Sequence, residues 1–568
     1  MKMTKSQKAS IGSKLTHTLN VLKHLKKMKF TQINKVARFS TLFFFAMLFI
    51  VFQSCKKSGT DIGSGGETML KVKLSVGSPK EENILFGNSK TTKRSAESNV
   101  QLSSVKISDG ISMDVMVIKD GNNATLSAAS SALGDAKAAT QPVVKVLDPG
   151  VKYRVVVYDE DGAHKGNYDY AYGNEATTPG IPLNNGATYT FIVYSVNSTS
   201  TLPNITDQGS LSTASLNDIS SELMYFKKTM TLTFGETNLL EAELIHQFSQ
   251  ITTTIEMDNS MTGNIHALSG NQITPTKASG SIKFSNNLVS FPATSNSTNV
   301  AFPAITPGIR SITSTPTFLI SPATTTANFN IGSITLDGET KTNISVPDIK
   351  ITPGHRYNLV LKFGVCTQNV TSDGLNWRYP EESWEVRENR KWVTYKGIIK
   401  DGIKYPNNSI ITNQFLAPQA NYGFQFDITE LDNAFNMKVN DNYIFGTSAS
   451  QQIQFQTNNS LGTVRNIEFI DGTEYSEDGI DEVYDLVGTA QNPLIRILIS
   501  RNGEVTILGS KTNGGPLMQM RLKNGQSFNP VVWKADDVNQ VVVSQKVDGR
   551  TIVIGTGYGR KRIACPKD

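Results

Sequence analysis

Cysteine is nearly absent: Cys55, Cys366 and Cys565 are the three in 568 residues. That excludes a disulfide-dense scaffold, in which many bridges staple a small core. Histidine is as sparse. The six (17, 24, 164, 246, 266 and 355) are scattered, with no HExxH and no pair at zinc-ligand spacing. No GxSxG elbow, P-loop or dinucleotide fingerprint occurs, so the residues point to no catalytic site, no metal and no cofactor. Long amphipathic helical patterns are nearly missing. The most hydrophobic stretch, residues 42–52, has eleven residues, whereas a spanning helix needs roughly 20.

Eleven apolar residues suit the core of an export signal. In "LFFFAMLFIVFQSCKK" the run is preceded by Lys29, Lys35 and Arg38 and followed by Ser54 and Cys55. A hydrophobic run ending in a small residue and then cysteine resembles the lipobox of bacterial lipoproteins. That resemblance implies that residues 1–54 are a signal peptide, that Cys55 is acylated, and that the protein is anchored by lipid to the bacterial outer membrane. Met1 and Met28 both stand as starts. Residues 1–54 carry ten Lys/Arg and no Asp/Glu, so beyond them 45 basic residues face 49 acidic ones and the formal charge drops from +6 to about −4. A nucleic-acid partner loses its only compositional support.

What is present is period-2 alternation. Residues 55–68 are a Gly/Ser-rich tether. "MLKVKLSV" then places Leu70, Val72, Leu74 and Val76 on one face, with Lys71 and Lys73 opposite. Short strand-like runs between Gly, Pro, Asn and Asp turns continue to the C-terminus, predicting a mostly β chain built of sandwiches. The divisions fall at 69–228, 229–365, a charged and aromatic linker at 366–395, and a third β-rich domain at 396–568. Within the last, "LISRNGEVTIL" is a hairpin in which Asn502 and Gly503 are suited to the positive φ angles of a tight turn. In an exported protein Cys366 and Cys565 have two readings, as free thiols or as a bridge closing about 200 residues, worth about 5 kcal/mol in the chain-entropy model.

Other chemistry is thin. His246, in a strand-like run, reads as structural. Asp159, Glu160 and Asp161 read as a solvated turn lacking the later ligands of a calcium loop. "DGTEYSEDGIDE", from Asp471 to Glu482, reads as an acidic surface loop, with calcium binding as the other reading. Trp377, Trp384 and Trp392 lie in "NWRYPEESWEVRENRKWVTY"; they suit either stacking on sugar rings or packing between domains.

"SELMYFKKTMTLTF", "LIHQFSQITTTI" and "ITPGHRYNLVLKF", together with the lipobox, resemble segments of the fimbrillins, pilus subunits of Bacteroidetes. The resemblance covers about residues 55–365. It implies two tandem fimbrillin-like β-sandwich domains, with the C-terminal domain as an addition. It implies further that a trypsin-like protease, acting here at Arg94 of the Lys93-Arg94 pair, frees the strand of Leu70, Val72, Leu74 and Val76. Other pilus subunits would then become partners by β-strand addition. A module after the second domain suits a tip or accessory subunit in adhesion, with a glycan or protein ligand. The alternative expectation is a cell-surface glycan-binding lipoprotein that does not polymerise. "KKSGTD" lacks the closely spaced acidic residues of surface-exported lipoproteins, so the side of the membrane stays open.

Overall fold

The computed structural model describes residues 66–77, 100–119, 147–234, 237–322, 326–457 and 464–565. Among them nearly everything regular is β, and helix is limited to the short turns Glu175–Thr177 and Val483–Asp485. No helix among the described residues is long and apolar enough to cross a membrane; residues 42–52 lie outside them.

The first sheet has seven strands, in the spatial order His164–Ala171, Lys152–Tyr158, Thr188–Ser195, Met224–Thr231, Asn238–His246, Glu67–Gly77 and Ile181–Asn184. Alternation explains its two covered faces. Val155 and Phe191 point into a core with Leu70 and Leu240, while Val156, Tyr158, Ile192 and Tyr194 point the other way. That second face is closed by Leu216 and by Ile282 and Phe284 of strand Gly280–Lys283 and the loop after it. Chain beyond residue 229 therefore completes the packing of the first sheet.

The second sandwich departs from chain order. Strands Val100–Ser108 and Ile111–Lys119, expected within 69–228, instead join Arg356–Val365, Ser249–Met257 and Ser311–Thr313 in one sheet. The facing sheet contains Ile265–Ser269, Thr326–Leu336, Gln272–Thr276, Asn296–Asn299 and Glu339–Lys350. The reason is a core with Met113, Val115 and Val117 packed among Ile251, Phe329, Leu359 and Phe363, all fully or almost fully buried. Asn238–His246 likewise belongs to the first sheet, so the chain changes sheets at Gln247 and Phe248 rather than near 229.

Residues 366–395, expected as a linker, are sheet. Thr367–Tyr379 is the edge strand of a second seven-stranded sheet and pairs along Thr551–Arg562. A five-stranded sheet of Ile410–Ala417, Asn539–Lys546, Ala434–Val439, Asn442–Tyr443 and Ile453–Gln454 lies against it. Between them Phe415 stacks on Phe426, and Phe424 on Trp533. The first and last strands of this domain are thus neighbours, and Cys366 is bonded to Cys565, with Cα atoms 5.2 Å apart across a sequence separation of 199. Replacing both cysteines by serine is expected to lower the unfolding free energy by up to about 5 kcal/mol. Guanidinium titration of oxidised and doubly substituted protein measures it, and equal midpoints would show that the bridge does not restrain the unfolded chain.

Candidate functional site

Strand Glu67–Gly77 lies inside the first sheet, not on its edge. It runs parallel to Asn238–His246 in continuous register from Leu70 opposite Asn238 to Gly77 opposite Ile245. On its other side only residues 67–70 are paired, antiparallel to Ile181–Asn184. Leu70, Val72 and Leu74 are buried and Val76 half-buried, packed with Leu240, Ala242, Leu244, Ile181 and Leu183. Each fully buried aliphatic side chain of this kind contributes about 1.5–3 kcal/mol. The outward Lys73 meets Glu241 at 3.6 Å with both side chains about two-thirds exposed, a contact of little energetic weight. The strand is therefore held by its apolar face and its main-chain ladder.

The three tryptophans do not form one platform. Trp377 is 3% exposed within the C-terminal core, which removes it from sugar stacking and from interdomain packing. Trp384 and Trp392 lie on a three-stranded meander, Glu382–Glu388, Lys391–Lys400 and Ile403–Pro406. Trp384 sits opposite Tyr395 with the Lys404 ammonium 5.6 Å from its ring, whereas Trp392 sits opposite Arg387. Opposed residues of an antiparallel pair share a face, so the two indoles point to opposite sides. Trp392 is 65% exposed.

The acidic segment beginning at Asp471 is engaged by the protein's own cations. Asp471 pairs with Lys511 at 2.8 Å; Glu474 pairs with Arg465 and Lys523, and Glu477 with Arg465. Asp159 accepts the Ala163 amide and pairs with Lys165, in a turn. His246 pairs with Glu222 at 3.1 Å. Cys55 and Arg94 lie outside the described residues.

Sequence reading missed the joint between the second and C-terminal domains. One half is the hairpin of Thr326–Leu336 and Glu339–Lys350, whose turn residues Asp337 and Gly338 have φ of 51° and 70°. Positive φ at both central residues is the tight-turn geometry that Asp-Gly favours. The other half is the turn after Ile495–Ile499. There Gly503 alone takes positive φ, at 82°, and Asn502, expected to share it, does not. Serine 500 explains the difference: its carbonyl accepts the Gly503 amide and its amide donates to the Glu504 carbonyl, closing a longer loop than a two-residue turn.

The two tips meet. Glu339 accepts Arg501 at 2.6 Å and Arg562 at 2.7 Å, with Lys341 at 3.0 Å. Asn502 Nδ2 donates to the Asp337 carbonyl at 3.3 Å, and His266 meets Glu504 at 3.0 Å. A Cβ on Gly338 would lie 2.0 Å from Asn502 Nδ2, so a side chain there would push the Asn502 amide off the Asp337 carbonyl, besides straining a residue at φ of 70°. Behind the tips, Arg560 and Arg562 lie over the buried Tyr422 ring, and Arg560 also donates to the Ser260 carbonyl and to Thr367 Oγ1. Burial raises the Glu339 pKa, but the Lys341 and Arg562 bonds outweigh it and hold the carboxyl below its ordinary value. For Asp337 burial wins over the Thr262 hydrogen bond and pushes the pKa up to about 6.

No protein-family model and no curated protein matches this chain. Solved structures that do match include a candidate cell adhesion protein from Bacteroides fragilis, at 16% identity and a TM-score of 0.26, covering 39% of this chain and 82% of that one. A candidate adhesin from Bacteroides ovatus matches at 11% identity and 0.26, covering 45% and 88%. The fimbrial anchor protein Mfa2 from Porphyromonas gingivalis matches at 13% and 0.24, covering 36% and 76%. Likeness of this order says nothing about what this chain binds.

Glu339→Gln leaves Arg501 and Arg562 without their carboxylate. The expected loss is about 3 kcal/mol, the lower end for a broken buried pair, since Arg501 is a third exposed. Urea unfolding checks it, and early proteolytic separation of the C-terminal domain should accompany the loss. Asp337 carries a pH signature. Its folded pKa of about 6 exceeds the unfolded value of about 3.9, so the folded state binds the proton more tightly. The stability this contributes is complete below about pH 4 and is lost as pH rises through about 6. The difference between melting curves of the wild type and Asp337→Asn across that window should shrink as pH falls; a flat difference would refute the assignment.

Proposed function

We propose that this chain is a lipid-anchored, fimbrillin-like accessory or tip subunit acting in cell adhesion, assembled by β-strand exchange. One observation carries the reading: the first strand after the tether, Glu67–Gly77, is built into its sheet, paired along Asn238–His246 from Leu70 to Gly77 and with Ile181–Asn184 at its start. A strand in that position, withdrawn, leaves a groove with the ladder of Asn238–His246 on one side and the apolar side chains of Leu240, Ala242 and Leu244 uncovered beside it. An alternating strand from a neighbouring subunit has the shape and the hydrogen-bonding groups to refill it. Cleavage after Arg94 releases the strand together with the lipid on Cys55. The C-terminal domain, joined through the hairpin tips, is the binding module, carried at a fixed angle to the second domain.

Limited trypsin treatment tests this directly. Cleavage between residues 78 and 99 should yield polymers whose size grows with protein concentration, detected by light scattering and electron microscopy. Replacing every tryptic site of that segment, Lys80, Lys90, Lys93 and Arg94, by alanine should leave the protein monomeric under the same treatment. Assembled material that retains Cys55 at its N-terminus would sink the exchange mechanism.

A further inference from the structure

Beside the hairpin joint is a cleft of about 800 Å³, walled on one side by residues 306–309 of the second domain and on the other by the C-terminal sheet. That volume is within the range of about 300–1,000 Å³ usual for small-ligand sites. The geometry points to this cleft as the binding site for a neutral oligosaccharide. The inference rests on the reading of the C-terminal domain as the binding module and is independent of strand exchange.

Two features of the walls select the ligand class. The carboxylates already have partners: Glu468 pairs with Arg521 at 2.7 Å, and Glu504 is hydrogen-bonded to His266 at 3.0 Å. An ionic ligand would have to displace these partners, whereas hydroxyl groups can add to the lone pairs and N–H groups that remain. The lining is mixed. Asn524, Gln526 and Thr306 contribute polar groups and Phe528, Ile470 and Val505 apolar ones, which suits a sugar ring with hydroxyls at its rim and C–H bonds on its faces.

The walls are also fixed relative to one another. Gln519 donates across the domain boundary to the Gly308 carbonyl, and Glu504 belongs to the same turn that meets the Asp337 hairpin. A preformed cleft spares a weakly binding sugar the cost of ordering its site.

The test uses the purified full-length chain and short neutral oligosaccharides of glucose, mannose, galactose and N-acetylglucosamine, screened on an array and followed by calorimetry. At least one series should bind, and hydrogen exchange should slow at residues 504–506 and 519–528. Asn524→Gly, glycine being suited to its φ of 58°, with Gln526→Ala, both exposed and outside the sheet, should leave melting unchanged and weaken binding about tenfold, as expected for two lost hydrogen bonds. Three results would overturn the proposal: no neutral oligosaccharide binds, the double variant binds as tightly as the wild type, or peptides occupy the cleft in place of sugars. Each outcome is separate from the trypsin-induced polymerisation assay, which leaves the cleft untouched.

Discussion

The carboxylate of Glu339 is the point on which the domain arrangement depends. It sits one residue beyond a tight turn and accepts cations from three places in the chain: Lys341 of its own strand, Arg501 of the facing turn, and Arg562 of the last strand. A surface pair of this chemistry would contribute little. Here the carboxylate is largely removed from water, and removing it would strand two guanidinium groups beside the already buried Arg560. The contact is therefore one that resists bending. It also fixes the walls of the adjacent cleft, because Glu504 and Arg501 occupy the same turn.

The disulfide acts on the same junction from the covalent side. Cys366 follows the last strand of the second sandwich, and its amide donates to the Gly110 carbonyl of that domain. Cys565 follows the final strand, and the Ile563 amide donates to the Cys366 carbonyl. Chain entry and chain exit of the C-terminal domain are thus tied at one place, a short way from Arg562. Chain entropy, ion pairing and hairpin shape all restrain one hinge.

Local pattern was legible in the sequence, and long-range pairing was not. Alternation in "MLKVKLSV" revealed a half-buried strand with Leu70, Val72 and Leu74 inward, because side-chain period is a local property. The mostly β class followed for the same reason. Strands Val100–Ser108 and Ile111–Lys119 show where this stops: Gln101 bonds to Lys350, across 249 residues, and nothing near residue 101 encodes that choice. Trp377 failed differently. Its neighbours are charged and look like linker, yet its strand alternates so that Leu375 and Trp377, with Tyr379 partly buried beyond them, turn inward to the core. The joint was visible only as a turn at Asn502 and Gly503. That the turn has a partner at Asp337 and Gly338 is a fact of assembly, spread over more than 160 residues.

The two principal contacts of this molecule differ in kind, and the difference fits the proposed function. The joint is made of named side chains in one geometry; a glutamine at 339 would leave its cations unpaired, and a side chain at 338 would displace the Asn502 amide and strain the turn. The groove around Glu67–Gly77 asks much less: main-chain groups in parallel register and an apolar residue at every second position. A contact of the first kind suits parts that must keep a fixed relation throughout the protein's life. A contact of the second kind asks only for a strand with the right alternation. Under the proposed function, exchange belongs at the first sheet and rigidity at the far end, where a ligand pulling on the C-terminal domain would load a junction held by ions, hydrogen bonds and a covalent bridge.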